Sequence, residues 1–215
     1  MSGRPGLMLI LLAAILFPIL FPRQFRKLTL ALLGKSGKEA VGRRALAVQP
    51  DTITLVRSVT PPSAQARSIL DALGKAGFEP AGDFLVQEMS RLLVRFMVRP
   101  ADFVTAAVYE HPAAGVWIDL YTHYEDGTSF TFSTARLGGG LDPRPGHPVE
   151  RRPGLSPAAL LAAFLTMRSG GTMKAVSTAT VAEAFAVVYA ESAAWRKRHG
   201  LSAEEVEKAG MECVR

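Results

Sequence analysis

Alternating apolar and polar residues between Phe84 and Thr134 constrain the fold more than any other feature of the chain. A period of two residues is typical of β-strands that bury one face, and short turn-forming segments separate the runs here. The runs predict five strands, at residues 84–89, 92–99, 103–109, 116–124 and 129–135, and residues 51–57 predict a sixth. In 92–99, the apolar set alternates with a partly exposed set that includes Arg95. Because strands joined by short turns pair with their neighbours, we expect an antiparallel meander.

The pair Asp126-Gly127 lies between the last two strands of this meander. Asp-Gly is the strongest short-range signal for a two-residue type I′ turn, because both central residues of that turn need a positive φ. Such a turn pairs Tyr121 with Phe132, and the pairing decides the face on which each residue lies. One face of the predicted ribbon carries Trp117, Asp119, Tyr121, His123, Phe130 and Phe132.

Helices are predicted before and after the strands. An N-cap side chain accepts a hydrogen bond from the first helical turn, and proline fits the first helical position. The start signals are Thr60-Pro61-Pro62, Ser156-Pro157 and two capping boxes, Thr180-x-x-Glu183 and Ser202-x-x-Glu205. Strands clustered in the middle with helices on either side indicate an α+β fold. We expect a mainly antiparallel sheet of about six strands with helices packed on one face, preceded by a single N-terminal transmembrane helix.

The positive charge of the chain is concentrated at its N-terminus. The formal net charge is +6, yet residues 1–49 hold eight Lys and Arg with one Glu, whereas residues 50–215 hold 17 basic and 18 acidic residues. Nucleic-acid binding requires a concentrated positive surface, since contacts to the phosphate backbone supply much of the affinity. The nearly neutral second part therefore argues against a nucleic acid as partner.

Residues 7–21 form an apolar run that is interrupted only by Pro18, and Arg23, Arg26 and Lys27 follow it. Helical residues rise about 1.5 Å each, so this run and its flanks approach the roughly 30 Å thickness of a bilayer core. We predict that residues 1–27 form a single-pass membrane anchor with a basic flank, which contacts membrane lipid through residues 7–22. A cleaved secretory signal peptide is the alternative, although no small-x-small cleavage site follows the run.

The basic residues after the apolar run also predict the organisation of the rest of the chain. By the positive-inside rule, they place the globular part in the cytoplasm. Residues 28–49 contain Gly, Ser and several cations, which predicts a basic juxtamembrane linker that faces anionic lipid headgroups or solvent. Residues 50–215 then form one globular α+β domain that is long enough to bury a core.

No sequence motif indicates catalysis or a bound cofactor. The histidines are His111, His123, His147 and His199, and they form neither H-E-x-x-H nor a set with cysteines at zinc-ligand spacing. The three glycines at 138–140 lack the Lys and the Ser or Thr that complete a phosphate-binding loop, and no serine lies in G-x-S-x-G. The sequence therefore predicts no catalytic residue, no metal and no cofactor.

The strongest candidate for a functional surface combines one face of the strand at 116–124 with the Gly- and Pro-rich segment 136–155. Its candidate ligand- or partner-binding residues are Trp117, Asp119, Tyr121, His123, Arg136, Asp142, His147 and Arg151. Aromatic rings beside a few convergent polar groups are typical of small-ligand clefts and of protein interfaces. We expect a membrane-anchored protein that binds a protein partner or a small ligand here. The competing explanation is that Phe185 or Trp195 covers these rings in the core.

Two other functions are consistent with the sequence. A hydrolase-like enzyme would use Asp119 and His123, together with His147, as an acid–base set. A structural subunit of a membrane complex would depend on the anchor as much as on the domain. The enzyme requires Asp119 and His123 to lie within hydrogen-bond reach, whereas a binding surface requires its aromatic residues to stay accessible.

Overall fold

The structure, a computed structural model, describes residues 33–89, 91–136 and 141–212. The predicted membrane anchor lies outside these residues. Within the part of the chain that the structure describes, no helix is both long and apolar enough to cross a membrane. Residues 35–48, which the sequence assigns to a juxtamembrane linker, form a helix. The described residues form two compact units.

The larger unit comprises the described part of Gln49–Arg136 and Pro143–His199 and contains a seven-stranded sheet. The strands are β1 (Leu55–Arg57), β2 (Glu79–Val86), β3 (Leu93–Arg99), β4 (Val104–His111), β5 (Gly115–His123), β6 (Ser129–Ser133) and β7 (Val149–Arg151). They lie in chain order, and every neighbouring pair is antiparallel except β6 and β7, which are parallel. This confirms an α+β fold with a mainly antiparallel sheet. The expected six strands become seven because the Gly- and Pro-rich segment contributes the edge strand β7.

Helices cover both faces of this sheet. On the first face, α2 (Ala64–Lys75) and α3 (Pro157–Met167) pack on a core that includes Phe132. On the second face, which we call the α4 face, α4 (Val181–His199) packs on a separate core that includes Phe96. The prediction of helices on one face must therefore be corrected. The central strands carry apolar residues on both sides, so both sides need cover from water.

The turn between β5 and β6 has three residues instead of the two that Asp126-Gly127 predicts. The amide of Tyr124 donates to the carbonyl oxygen of Thr128 at 2.9 Å, and the amide of Gly127 donates to the carbonyl oxygen of Tyr124 at 3.1 Å. Gly127 has a φ of +83°, which is typical of the left-handed residue that closes a three-residue hairpin loop. The carboxylate of Asp126 accepts from the Thr128 amide at 2.9 Å and stabilises the loop from within.

This extra turn residue shifts the register of the hairpin by one position. Tyr121 pairs with Thr131, not with Phe132, and Asp119 pairs with Ser133. A shift of one residue moves every side chain of a strand to the opposite face. Phe132 therefore leaves the predicted face of Tyr121 and, together with Phe130, enters the first core.

The start of α3 was predicted correctly, whereas that of α2 was not. Ser156 caps α3, because its hydroxyl oxygen accepts a hydrogen bond from the amide of Ala159 at 3.3 Å. In α2 the cap is Ser63 rather than Thr60, and the Ser63 hydroxyl oxygen accepts from the amide of Ala66, also at 3.3 Å. The two prolines after Thr60 belong to a non-helical segment that precedes the helix.

The described part of the smaller unit is built mainly from α1 (Lys35–Val48) and α5 (Ala203–Glu212). Gly42 lies at the contact between these helices, where an added Cβ would lie 3.0 Å from the side chain of Val206. A larger residue at position 42 would therefore push the two helices apart.

The predicted capping box at the start of α5 is confirmed. The amide of Glu205 donates to the hydroxyl oxygen of Ser202 at 3.1 Å, and the amide of Ser202 donates to the Glu205 carboxylate at 2.9 Å. The reciprocal bonds satisfy two amides at the start of the helix. Lys38 of α1 also forms an ion pair with Glu207 of α5 at 2.6 Å.

The Gly127 turn leads to a testable difference between two glycines. Gly127→Ala is expected to lower the free energy of unfolding by about 1 kcal/mol, because a Cβ is strained at positive φ. Gly74→Ala is the matched control, since Gly74 is helical and its added Cβ meets open space. That variant is expected to raise the free energy of unfolding by about 0.5–1 kcal/mol. Denaturant titration measures both, and the same sign for both variants would contradict the left-handed turn.

Candidate functional site

A row of three polar residues crosses the α4 face on strands β5, β6 and β7. The register pairs Asp119 with Ser133 and Ser133 with Arg151, and paired residues of neighbouring strands lie on the same face. We call these three residues the polar row. In the other direction the row continues across β4 to Phe96 of β3, whose ring lies 5.0 Å from that of Phe185 on α4. The apolar part of the face thus lies beneath α4, and the polar row continues from it onto β5, β6 and β7.

Asp119 is a partly buried residue of the larger unit. Its Oδ1 atom is buried and has no hydrogen-bond partner among the described residues. Burial raises the pKa of Asp119 from 3.8 to about 6, because a surrounding of low dielectric constant disfavours the charged form. Hydrogen bonding from the Ser133 hydroxyl to the carboxylate, the charge of Arg151 and hydrogen bonding from the Tyr109 hydroxyl partly offset this rise. The carboxyl group is therefore mostly ionised at neutral pH, with one buried oxygen unsatisfied.

Arg151 supplies the opposite charge from the edge strand β7. Its Nε atom is also buried and without a hydrogen-bond partner in the described part of the chain. The charge of Arg151 lowers the pKa of Asp119, although the two described side chains do not form an ion pair. An unsatisfied buried donor or acceptor costs roughly 1–3 kcal/mol, and folded proteins contain few of them. The polar row contains one such acceptor and one such donor, and their presence on the same row needs an explanation.

Aromatic residues border the polar row on the same face. Tyr109 stacks on Trp117, with ring centroids 4.8 Å apart and planes 12° from parallel. Burial raises the pKa of Tyr109 and of Tyr121, and the negative charge of Asp119 raises both further, so both hydroxyl groups are neutral at physiological pH. Trp117 remains partly exposed.

Of the two rings that were expected to cover this face, only one reaches it. Phe185 lies 6.4 Å from Tyr109, centroid to centroid, in a tilted arrangement. Trp195 instead stacks on His199, 4.6 Å away and one helical turn later in α4. Phe185 is thus the residue of α4 that packs against the aromatic rings beside the polar row.

A second group of polar residues lies where β5 ends. His123 pairs with Ser129, whose hydroxyl oxygen lies 2.8 Å from Nδ1 of His147. Burial and neighbouring positive charges lower the pKa of both histidines, so both are mostly neutral at pH 7. Arg144, whose charge acts on His147, forms an ion pair with Glu191 of α4 at 2.9 Å.

The structure brings most of the predicted site residues together. Trp117, Asp119, Tyr121, His123 and Arg151 lie on the α4 face. His147 joins them through its contact with Ser129. Arg136 is exposed in the segment after β6. Asp142 belongs to the smaller unit, where its backbone amide donates to the carboxylate of Glu205 at 2.9 Å.

Asp119 and His123 do not form the hydrogen-bonded pair that the hydrolase hypothesis requires. They lie four residues apart on β5. Their α-carbons are therefore roughly 13 Å apart in an extended strand. Tyr121 lies between them on the same face, with its ring 5.3 Å from the imidazole of His123. The side chain of His147 contacts Ser129. The three side chains are thus not arranged as one acid–base set.

Two residues beside Asp119 were missed by the sequence analysis. A two-residue turn pairs Tyr121 with Phe132 and would place Ser133 on the face opposite Asp119, whereas the structure pairs Ser133 with Asp119. Recognising the three-residue loop that ends at Gly127 would have found it. Tyr109 ends a predicted strand, but only the pairing of β4 with β5 places it opposite Trp117.

Concave surface is found elsewhere on the larger unit. Two concavities of about 680 and 460 Å³ lie beside α2 and include its solvent-facing residues Asp71 and Lys75. Neither concavity includes a residue of the polar row. Within residues 33–89, 91–136 and 141–212, no group of three or more His, Cys, Asp or Glu side chains is placed to hold a metal ion.

No protein-family model, curated protein or solved structure matches this chain. Its class is therefore defined by the fold and the site alone. It is an α+β protein with a seven-stranded, mostly antiparallel sheet, and one largely apolar face of that sheet carries a polar row. Its function has to be inferred from the chemistry of that row.

Proposed function

We propose that this protein is held at a membrane by its N-terminal segment and that its larger unit binds a small polar ligand at the polar row. The observation that carries the ligand proposal is the presence of two buried, unpartnered atoms, Oδ1 of Asp119 and Nε of Arg151. The first is an acceptor and the second is a donor. A ligand that offers both a donor and an acceptor satisfies the two atoms and offsets the free energy that their burial costs.

The surroundings of the polar row support a ligand of limited size. Tyr109 and Trp117 form an aromatic border on one side, and Tyr121 follows Asp119 on the same face of β5. Aromatic walls with a few placed polar groups are typical of small-ligand sites. Arg151 comes from the Gly- and Pro-rich segment, so this segment contributes directly to the proposed site.

Tryptophan fluorescence provides a test of ligand binding. The chain has two tryptophans, so Trp195→Phe leaves Trp117, beside the polar row, as the reporter. The full-length variant in detergent micelles is titrated with acetate, methylammonium and ethylene glycol as probes. We expect a saturable change with at least one probe. Asp119→Asn or Arg151→Gln is expected to weaken that binding about tenfold or more, since hydrogen bonds to charged groups contribute about 1.5–3 kcal/mol.

Arg152→Gln is the matched control for Arg151→Gln. The guanidinium group of Arg152 lies 5.9 Å from the ring centroid of Phe132, a residue of the first core, and its side chain is 51% exposed. Its replacement is expected to leave probe binding unchanged. The proposal fails if no probe that carries a hydrogen-bond donor, an acceptor or both gives a saturable change. It also fails if Arg152→Gln weakens binding as much as Arg151→Gln does.

The membrane part of the proposal is supported by the apolar run at residues 7–21 and by the basic residues that follow it. We expect the full-length chain to sediment with membranes and to resist extraction by high salt, because burial of the run in lipid does not depend on charge. Leu12→Arg introduces a charge that costs about 2.5–3.5 kcal/mol near the centre of a bilayer, so it should shift the chain toward the soluble fraction. Val48→Arg, outside the run, is the control. Recovery of the unaltered, full-length chain in the aqueous phase would contradict the anchor.

A further inference from the structure

The two charged residues of the polar row are separated by a single small residue. Neighbouring strands lie about 4.8 Å apart, so the α-carbons of Asp119 and Arg151 are roughly 10 Å apart across β6. Ser133 occupies the position between them, and its short side chain places nothing bulky between the two charged groups. A small molecule that enters this part of the face would therefore contact both groups.

The opposite signs of these two groups restrict the charge of a ligand that contacts both. An anion such as acetate suits Arg151 but brings a second carboxylate close to Asp119, and like charges repel. A simple amine suits Asp119 but brings a second positive charge close to Arg151, and like charges repel. Tyr109 and Tyr121 are the titratable groups that also surround Asp119. Both are neutral at physiological pH, so they alter neither the repulsion of an anion by Asp119 nor that of an amine by Arg151.

From this arrangement we infer that the polar row binds a zwitterion of the α-amino acid class. The ammonium group of the ligand donates to the carboxylate of Asp119, and its carboxylate accepts from the guanidinium group of Arg151. A zwitterion has no net charge, and its two charged groups are attached to one carbon atom, so it bridges the pair without placing like charges together. The inference rests on the proposed ligand site and deepens it by naming the class of ligand.

Matched probes test the inference in the full-length Trp195→Phe protein at neutral pH. Glycine carries both charged groups, N-acetylglycine lacks the ammonium group, and glycine methyl ester lacks the carboxylate. We expect glycine to bind at least about tenfold more tightly than either analogue, than acetate or than methylammonium. Asp119→Asn and Arg151→Gln should each abolish this preference, whereas Arg152→Gln should keep it. Denaturant titration of each variant shows whether it is folded.

The outcomes separate failure of the inference from failure of the proposed site. Acetate or N-acetylglycine binding as tightly as glycine, and depending on Arg151, overturns the inference and leaves a site for anions. Methylammonium or glycine methyl ester binding as tightly as glycine, and depending on Asp119, likewise leaves a site for cations. A preference for glycine that survives Asp119→Asn also overturns it. If neither glycine nor any other probe gives a saturable signal, the inference and the proposed site are both wrong.

Discussion

Replacing Arg95 with alanine is expected to lower the free energy of unfolding by about 3 kcal/mol, because it removes a buried side chain and its hydrogen bonds to charged and backbone groups. Arg95 is only 1% exposed. Its guanidinium group lies 3.2 Å from the carboxylate of Glu110 and 3.3 Å from that of Asp83, and it donates to the carbonyl oxygen of Thr60 at 2.9 Å. Alanine leaves a partly buried carboxylate without its counter-charge and detaches the segment before α2 from the sheet.

Arg99→Ala on the same strand is the control for this prediction. Arg99 pairs with Asp102 at 2.9 Å, but both side chains are about a quarter exposed, so its loss is expected to cost less than about 1 kcal/mol. Arg95→Met keeps most of the buried volume, so its loss of free energy of unfolding is expected to lie between those of Arg95→Ala and Arg99→Ala. Denaturant titration measures all three variants. A loss below about 1 kcal/mol for Arg95→Ala would show that the network does not hold the fold together.

Asp119→Asn is expected to raise the free energy of unfolding above pH 6 by up to about 3 kcal/mol. The pKa of Asp119 is raised from 3.8 to about 6 in the folded state, mainly by burial. The folded protein therefore binds the proton more tightly than the unfolded chain does, and the stability contributed by this group falls as pH rises from about 4 to 6. Each pKa unit corresponds to about 1.4 kcal/mol, which gives the expected size of the effect. Asparagine cannot ionise, so the variant avoids this loss.

The pH profile distinguishes a titration effect from a general change in packing. His123 and His147 have lowered pKa values in the folded state, so their contribution is present at higher pH and lost as pH falls. In the unmodified protein, ionisation of Asp119 lowers the free energy of unfolding as pH rises, whereas loss of the proton from the two histidines raises it. The free energy of unfolding of Asp119→Asn should therefore rise from pH 5 to 7, and that of the unmodified protein should rise less or fall.

Asp126→Asn is the matched control for Asp119→Asn, since Asp126 lies in the exposed turn and accepts hydrogen bonds from Thr128. Its pKa is lowered, the opposite direction to that of Asp119. Asp126→Asn should therefore show the same fall in the free energy of unfolding that Asp119 causes in the unmodified protein as pH rises. Identical pH profiles for Asp119→Asn and the unmodified protein would mean that Asp119 is not the titrating group. A destabilising carboxylate at this position is consistent with a role in binding, because functional groups are often placed at a cost in stability.

Local signals predicted two helix starts correctly, and the hydrogen bonds that stabilise these starts are themselves local. The cap of α3 at Ser156 depends on hydrogen bonds within three residues of the chain, and so does the capping box at Ser202 and Glu205. Alternation predicted most of the sheet for the same reason, because side-chain direction in a strand follows from residue number alone. The edge strand β7 was missed, since its three residues are too few to show a period.

The candidate site was predicted in part. Asp119 and His123 were correctly assigned to one face, because both lie on β5 and differ by an even number of residues. Their neighbours could not be assigned in this way. Whether Ser133 or Thr134 lies beside Asp119 depends on a single residue in a turn, and a two-residue and a three-residue turn differ little in local preference.

Arg95 shows the limit of local patterning most clearly. Alternation assigned it to a partly exposed set, yet it is buried, because Asp83, Glu110 and Thr60 approach it from other parts of the chain. A charged side chain is buried only where partners are brought to it, and strand periodicity contains no information about them.

The sequence by itself determined that the chain forms an α+β fold with a mainly antiparallel sheet, because periodicity and capping act over a few residues. Only the tertiary structure decided that helices cover both faces, that the hairpin turn has three residues, and that Asp119, Ser133 and Arg151 form one row. The first and third of these features depend on contacts between residues that are distant in the chain, and the free energy of such contacts is set by packing and burial. The polar row, on which the proposed function rests, exists only once those contacts have formed.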